Sequence, residues 1–590
     1  MDAPLLFPAP RELELYEEVP GPARDVRPET RRLRALPAQG FELVLDSRGA
    51  QIRYADPAGR RYAEAALAGL RRRGGSRLPA LRVRDWPDFP VRGVMLDVSR
   101  DRVPTRSTLE RIVDLLALFR LNQLQLYTEH AFAYRDHATV WREASPITAE
   151  DVHWLDGLCR ERGIELVPNQ NCFGHMGRWL RHARYRHRAE QPEGFDVPGL
   201  GRRPAGVLAP TPENARFALA LVRELTGHFT SRRVNIGCDE TFELGEGVSR
   251  AEVARRGRGR VYLDHLLRLL DPLRAEGHEV LFWGDVVQQH PELARELPPD
   301  DSVALAWYYE APMDPAATPA PSRALLDRLG FGGEKLRGFA SQLGPFEANG
   351  LAYWVCPGTS TWNSLVGRLD NARGNLLDAA ETGLAAGARG YLITDWGDNG
   401  HLQPPSLSFA PLAYGAAVSW GVERNRELDV APLLDALVFE DAVGELGGVI
   451  QTVGTLHRGT GRFGINGSPL FGGLLDASPL HSLGQTDEEG TRAVIAALED
   501  ARDRLDRARP RCVDAEVVRR ELAQAIRLAR HGAWRLLRAA GLACPSDAAL
   551  RRDLAEAIAG QRACWLERSR PGGLRDSLAR LEGVLEEYAP

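Results

Sequence analysis

From about residue 91 onward the chain alternates short apolar runs with longer stretches of helical spacing. The runs are VRGVMLDV from Val91, NQLQLYTE from Asn122, GIELVPN from Gly163, VNIGCD from Val234, EVLFWGD from Glu279, SVALAWYY from Ser302, LAYWVCPG from Leu351 and GYLITDWG from Gly390. Each gives way to polar residues and then to an amphipathic segment. TLERIVDLLALFR, for example, sets Leu109, Ile112, Leu115, Leu116 and Phe119 on one face, the spacing of a helix packed on a core. Apolar strands alternating with helices form parallel sheets, and eight such units predict an α/β fold of the (β/α)8 barrel type over residues 89–425.

Both flanks read differently. Residues 1–88 carry one alternating stretch, FELVLDSRGAQIRYAD, whose Arg48-Gly49 suits a hairpin turn, followed by the helical YAEAALAGLRRR; this predicts a small α+β domain. Beyond Trp420 the strand signal fades. Residues 426–590 predict a mainly helical domain, with arginine- and glutamate-rich helices from Glu488 broken at Pro510, Pro545 and Pro571-Gly572-Gly573. Heptads are not sustained, so these helices suit packing on the barrel or, in a homodimer, on a second copy of the chain.

Composition narrows the partners. The 590 residues are 44% hydrophobic and 26% charged, with a formal net charge of −5 from intermixed acids and arginines. No single-signed field steers nucleic acid or an anionic membrane, and no uncharged run approaches the roughly 18 residues of a membrane span. The opening segment lacks a basic stretch followed by a long apolar one. The cysteines number seven, an odd count without a CxxC pair, which argues against a disulfide framework or a zinc cluster. Together these predict a cytoplasmic protein acting on a small or neutral partner.

In barrels of this kind the residues that close each strand surround the active site. Here they are Asp97 with Arg100, Glu129 with His130, Asn169 and Asn171 with His175, Asp239 and Glu240, Trp283 with Asp285, Trp307 with Tyr308 and Tyr309, Tyr353 with Trp354, and Asp395, Trp396 and Asp398. Carboxylates beside tryptophan and tyrosine suit a sugar, because aromatic faces cover the apolar side of a pyranose while carboxylates bind hydroxyls and move protons. No GxxxxGK[ST], GxGxxG or GxSxG stands at a strand end, so phosphate-cradling and nucleophile-elbow chemistry have no motif. Most glycosidases place two carboxyl groups on separate strands, whereas some retaining ones use the substrate's own 2-acetamido group as nucleophile. The adjacent pair Asp239-Glu240 fits the second design, one acid serving the acetamido group and the other the leaving oxygen.

The segments DFPVRGVMLDVSR from Asp88, NCFGHM from Asn171, VNIGCDE from Val234, FWGD from Phe282 and TDWGD from Thr394 resemble glycoside hydrolase family 20, the β-N-acetylhexosaminidases, in order and spacing from Asp88 to Trp420. That resemblance implies an exo-acting retaining enzyme for terminal β-linked N-acetylhexosamine, working through an oxazolinium intermediate without metal or organic cofactor. It casts Asp239 and Glu240 as catalytic. It casts Arg92 as the sugar-binding arginine and His175 as support of the acid–base network. Trp283, Trp307 and Trp396 become pocket walls, and Asp398 a ligand of outer hydroxyls. Glu129 stands where the family commonly has an aspartate, and Tyr353 and Asn363 are candidates for the acetamido contact. Asp97 and Arg100 read as a substrate contact or as a buried ion pair. Two other readings fit the same fold: a divalent-metal hydrolase built on His130, His137, His175, Asp239 and Glu240, and a sugar-binding protein without turnover.

Overall fold

A computed structural model describes residues 6–16, 19–73, 76–197, 201–314, 323 and 332–588. All eight apolar runs are strands: Val91–Asp97, Gln123–Thr128, Glu165–Gln170, Arg233–Asn235, Glu279–Trp283, Ser302–Trp307, Tyr353–Cys356 and Gly390–Asp395. They close a parallel barrel in which the first strand pairs with both the second and the eighth. The fourth strand is shorter than its apolar run. It ends at Asn235 because Gly237 and Cys238 take φ of 67° and 71°, which breaks the ladder before Asp239.

Two chemistries fill the barrel. Beneath the second to fourth strands lies an amide ladder, in which Gln125 donates to Gln123 (3.0 Å) and accepts from Asn169 and Asn235 (3.1 Å each). Met95, Leu281, Trp283, Val303, Leu305, Trp354 and Leu392 form one apolar cluster in the remainder. Pairing the buried amides with one another removes most of the cost of taking them out of water.

The helix Arg106–Leu118 buries the face read from its spacing, and Thr105 caps it by accepting from the Thr108 N–H. At the other end of the chain stand four long helices, Glu488–Arg507, Ala515–Ala539, Asp547–Arg568 and Leu574–Glu586. These lie against the barrel. The Arg568 carbonyl accepts from the Thr105 N–H (2.9 Å) and the Thr108 hydroxyl (2.7 Å), and Arg570 reaches the Pro146 carbonyl and Asp151. Among the described residues no helix is long and apolar enough to cross a membrane.

The amino-terminal region forms a five-stranded sheet in the order Glu12–Leu15, Leu81–Asp85, Phe41–Asp46, Gly49–Tyr54, Pro28–Arg32. Its hairpin turns at Ser47-Arg48, with Asp46 facing Gly49, one residue earlier than the Arg-Gly dipeptide suggested. Phe41, Leu43, Leu45, Ile52, Leu81 and Val83 bury one face together with the helix Pro57–Arg73 and with Trp420 from the barrel.

At that joint lies Arg92, fully buried. Its guanidinium donates to the carbonyls of Phe89 (2.7 Å) and Arg120 (2.9 Å) and to the Tyr62 hydroxyl (2.9 Å), and it lies 5.0 Å over the Trp420 ring. Arg120 stacks on the same indole and pairs with Asp85 at 2.8 Å. The two arginines cement the small sheet to the barrel floor. Replacing Arg92 by Met leaves three buried acceptors without a donor, so it should cost about 3–5 kcal/mol of stability, read as a lower urea midpoint by tryptophan fluorescence; an unchanged midpoint would remove Arg92 from this role.

Candidate active site

The carboxyl ends of the strands converge on two cations. His175 follows the third strand and takes a left-handed φ of 53°, which swings its ring back over the barrel. Its Nε2 stands 3.2 Å from both Asp239 Oδ2 and Glu240 Oε2, dividing its approach between the two acids, and its Nδ1 lies 3.9 Å from Glu129. Arg100, just past the first strand, brings a guanidinium to Asp398 (3.0 Å), Asp97 (3.3 Å) and Glu129 (3.6 Å) and to His175 Nδ1 (3.3 Å). It lies against Trp396 at 4.7 Å and Tyr127 at 5.2 Å, two rings that meet edge to face.

The backbone of the fourth strand's exit sets the acids apart. Gly237 has φ 67°, and a Cβ there would sit 2.6 Å from the Asn171 side chain, so only glycine permits the turn. Cys238 and Glu240 follow with φ of 71° and 49°, conformations that cost about 1–3 kcal/mol each. They are held by the Asn171 amide, which accepts from the Cys238 N–H (3.2 Å) and donates to Asp239 Oδ1 (2.7 Å), and by the Tyr262 hydroxyl on the Cys238 carbonyl (2.9 Å). As a result Asp239 points inward, its side chain 8% exposed, while that of Glu240 is 37% exposed.

Charge follows this geometry. Burial resists ionisation of Asp239, but the His175 charge, hydrogen bonds from His175 and Asn171, and Arg100 overcome it and hold its pKa below the usual carboxylate range. Burial likewise opposes a charge on His175, and the charge of Asp239 and the contacts with both acids reverse this and hold the imidazolium well above its ordinary pKa. Asp285 goes the other way. Desolvation and then the Asp239 charge push it up to about 8, although its Oδ2 accepts the Glu240 N–H at 3.3 Å. Burial also raises Glu129 and Asp398, against the pull of Arg100.

Aromatic rings wall the other side. Trp283 and Trp396 lie 5.8 Å apart, Trp307 stacks on Tyr309 at 5.2 Å, and Tyr309 meets Trp362 edge-on at 5.1 Å. The Tyr309 hydroxyl accepts from the Trp396 indole (2.9 Å). The indole N–H groups of Trp283 and Trp307 and the Oδ1 of Asp285 are buried without a hydrogen-bond partner. Buried polar groups are nearly always paired, so these are positions a polar ligand would satisfy.

Residues 89–318 match the family model described as glycosyl hydrolase family 20, catalytic domain. Over these residues the barrel is similar to the catalytic domain of glycosyl hydrolase family 20. The chain is 28% identical over 241 residues to hexosaminidase D of Homo sapiens, an alignment covering 38% of this chain and 46% of that protein. It is 26% identical over 292 residues to a beta-hexosaminidase of Akkermansia muciniphila, covering 42% and 57%. The chain thus spans about half the length of these curated relatives. Among solved structures, a beta-N-acetylhexosaminidase superposes with a TM-score of 0.54 at 18% identity over 73% of this chain and 95% of its own. The chitobiase of Flavobacterium johnsoniae does so with 0.54 at 14% identity over 98% of each; at such identities the likeness is one of fold.

Against the family 20 pattern, the structure brings Asp239, Glu240, Glu129, His175, Trp283, Trp307, Trp396 and Asp398 to one mouth. Three expectations need correction. Arg92 is the second residue of its strand, about 16 Å below Asp97 at ordinary strand rise, and its donors are engaged at the barrel floor; Arg100 is the arginine at the mouth. Tyr353 opens the seventh strand at the same lower end, its hydroxyl donating to the Ala386 carbonyl and its ring stacked on Phe346. Asn363 is near the mouth, but its amide donates to the Asn466 carbonyl and accepts from Asn399 (3.0 Å each), so it ties loops together.

The strand-end rule had singled out Asn171, Asp285 and Tyr309 without giving them roles. Of the three histidines of the metal reading only His175 joins the cluster: His137 bonds to the Tyr185 hydroxyl (2.6 Å), and His130 lines a separate recess with Arg178 and Arg181. Among the described residues no group of three histidine, cysteine or acidic side chains is arranged to hold a metal ion.

The shifts predict a pH signature. Asp285 is protonated in the folded protein up to about pH 8 but ionised above about pH 4 when unfolded. The native state therefore binds more protons in that window, and stability falls as pH rises. Asp285→Asn should remove this decline, seen in thermal midpoints measured between pH 4 and 8; an identical slope in the variant would refute the raised pKa.

Proposed function

We propose that the protein is an exo-acting retaining glycosidase that releases terminal non-reducing β-linked N-acetylhexosamine by substrate-assisted catalysis. The observation that carries this reading is the unequal setting of two adjacent carboxylates, Asp239 buried and held ionised, Glu240 turned toward solvent. Environments that separate two acids in this way separate their duties.

In the proposed reaction the sugar ring lies among Trp283, Trp307 and Trp396, with Arg100 and Asp398 at its hydroxyls. Asp239 accepts the acetamido N–H and stabilises the positive charge that grows as the acetamido oxygen attacks the anomeric carbon. The Tyr309 hydroxyl already accepts from Trp396, which leaves its proton free to donate to the acetamido oxygen. Glu240 gives its proton to the glycosidic oxygen, the C1–O bond breaks, and the aglycone departs from an oxazolinium ion. Glu240, now a carboxylate, takes a proton from water as that water adds to C1. The ring opens, and the sugar leaves with its β configuration retained. His175, shared between the two acids and backed by Glu129, keeps both in place. No step calls for a metal or an organic cofactor. The seven cysteines are unpaired and four are buried, which supports a reducing, cytoplasmic setting.

An aryl β-N-acetylglucosaminide should be hydrolysed in the presence of EDTA. Glu240→Gln should lose roughly 10²–10⁴-fold in kcat, the usual contribution of a general acid. A thiazoline mimic of the intermediate should inhibit the wild type and bind poorly to Asp239→Asn. Full turnover by Glu240→Gln, or indifference to the thiazoline, would overturn the mechanism.

A further inference from the structure

Immediately beyond the two acids the chain displays an aromatic side chain to solvent. Phe242 is 65% exposed and is the only aromatic among the strongly exposed large apolar residues of the described chain. Single exposed apolar residues are common and need no function, so the case rests on how this one is held.

The loop that carries it is fixed on every side. Thr241, Glu243 and Leu244 are buried at 6%, 1% and 0%. Glu243 Oε1 accepts from the N–H groups of Gly206 (2.6 Å) and Val207 (3.1 Å). The buried Glu190 carboxylate accepts from the N–H groups of Gly245, Gly247 and Ser249 and from the Ser249 hydroxyl. The Phe242 N–H itself donates to the Glu240 carbonyl (2.8 Å), and its own carbonyl accepts from Arg258 (3.4 Å). One buried glutamate thus holds the loop's backbone from outside, and a second, within the loop, ties it to the Gly206–Val207 backbone.

Position gives the ring a task. Asp239 is buried, Glu240 partly open and Phe242 exposed, with the intervening Thr241 buried, so the side chains that reach solvent lie on the outer side of the acid pair. Two residues of chain put the Phe242 Cα within about 7 Å of the Glu240 Cα, a distance comparable to one pyranose ring. In the proposed reaction the acid marks the glycosidic oxygen, so an exposed aromatic held about one ring-width along the chain from it is within reach of a leaving sugar.

We infer that Phe242 is a specificity-determining platform on the leaving-group side of the cleft, stacking on the apolar face of a second pyranose and so favouring substrates whose aglycone is itself a sugar. This rests on the glycosidase reading above. Because the loop is already ordered, little conformational freedom is lost when the sugar lands.

The test compares N,N′-diacetylchitobiose, which places a pyranose against Phe242, with methyl β-N-acetylglucosaminide, which does not. Phe242→Ala should lower the ratio of kcat/KM for the disaccharide over the methyl glycoside by roughly three- to tenfold, the range of one aromatic stacking contact, and Phe242→Trp should restore it. An unchanged ratio would overturn the platform, as would an equal ratio loss in Phe242→Trp. Calorimetric binding of the same two ligands to Glu240→Gln, with and without Phe242→Ala, reads the contact without turnover. Absence of wild-type hydrolysis would refute the glycosidase reading alone, while selective loss of disaccharide affinity would still support Phe242, and equal or no loss would refute it.

Discussion

The mouth of the barrel is governed by charge compensation. Asp97, Glu129, Asp239, Glu240 and Asp398 gather around Arg100 and His175, all at the edge of a low-dielectric interior where unpaired charge is costly. Arg100 cannot lose its proton, and its contacts with the rings of Trp396 and Tyr127 fix where that charge resides. His175 is the adjustable member, its imidazolium maintained by the same acids it positions. Asp285 lies outside this balance, and burial together with the Asp239 charge keeps its proton on.

Holding so many like charges together demands unusual backbone. His175, Cys238, Glu240, Asn399 and His401 all take left-handed φ values at the strand exits. Regular structure would send these side chains along the barrel wall. The strained turns direct them across the mouth, and neighbours over-determine the turns: a Cβ on Gly174 would lie 2.2 Å from the Asp239 carbonyl, and the Gly237 carbonyl accepts from the Trp283 N–H at 2.9 Å. Precision at the acids comes from this interlock of the third, fourth and fifth strand exits.

The barrel was legible in the sequence because its strands are apolar and their number is fixed by repetition. The acids and tryptophans were legible because they terminate those runs. Arg92 was misread since residue type and strand membership say nothing of which end of a strand a side chain serves; the first strand carries arginines near both ends, and only depth in the barrel tells Arg92 from Arg100. Tyr353 failed for the same reason, and Tyr309, just past the sixth strand, lay within the aromatic run that was flagged. The roles of Asn171 and of the Phe242 loop depend on long-range partners, Cys238 in one case and Glu190 in the other, and local pattern cannot report such pairings.

The attachment of the last helices has a consequence for biosynthesis. The loops after the first and second strands, which carry Arg100 and Glu129, lean on Arg568, Arg570 and Gly573 near the end of the chain. A ribosome delivers residues in order, and domains generally settle as they emerge. The barrel strands leave the tunnel well before these outer supports, so the early loops gain those contacts only once residues 568–573 have been made. The cleft therefore draws on two stretches of chain that are synthesised far apart in time.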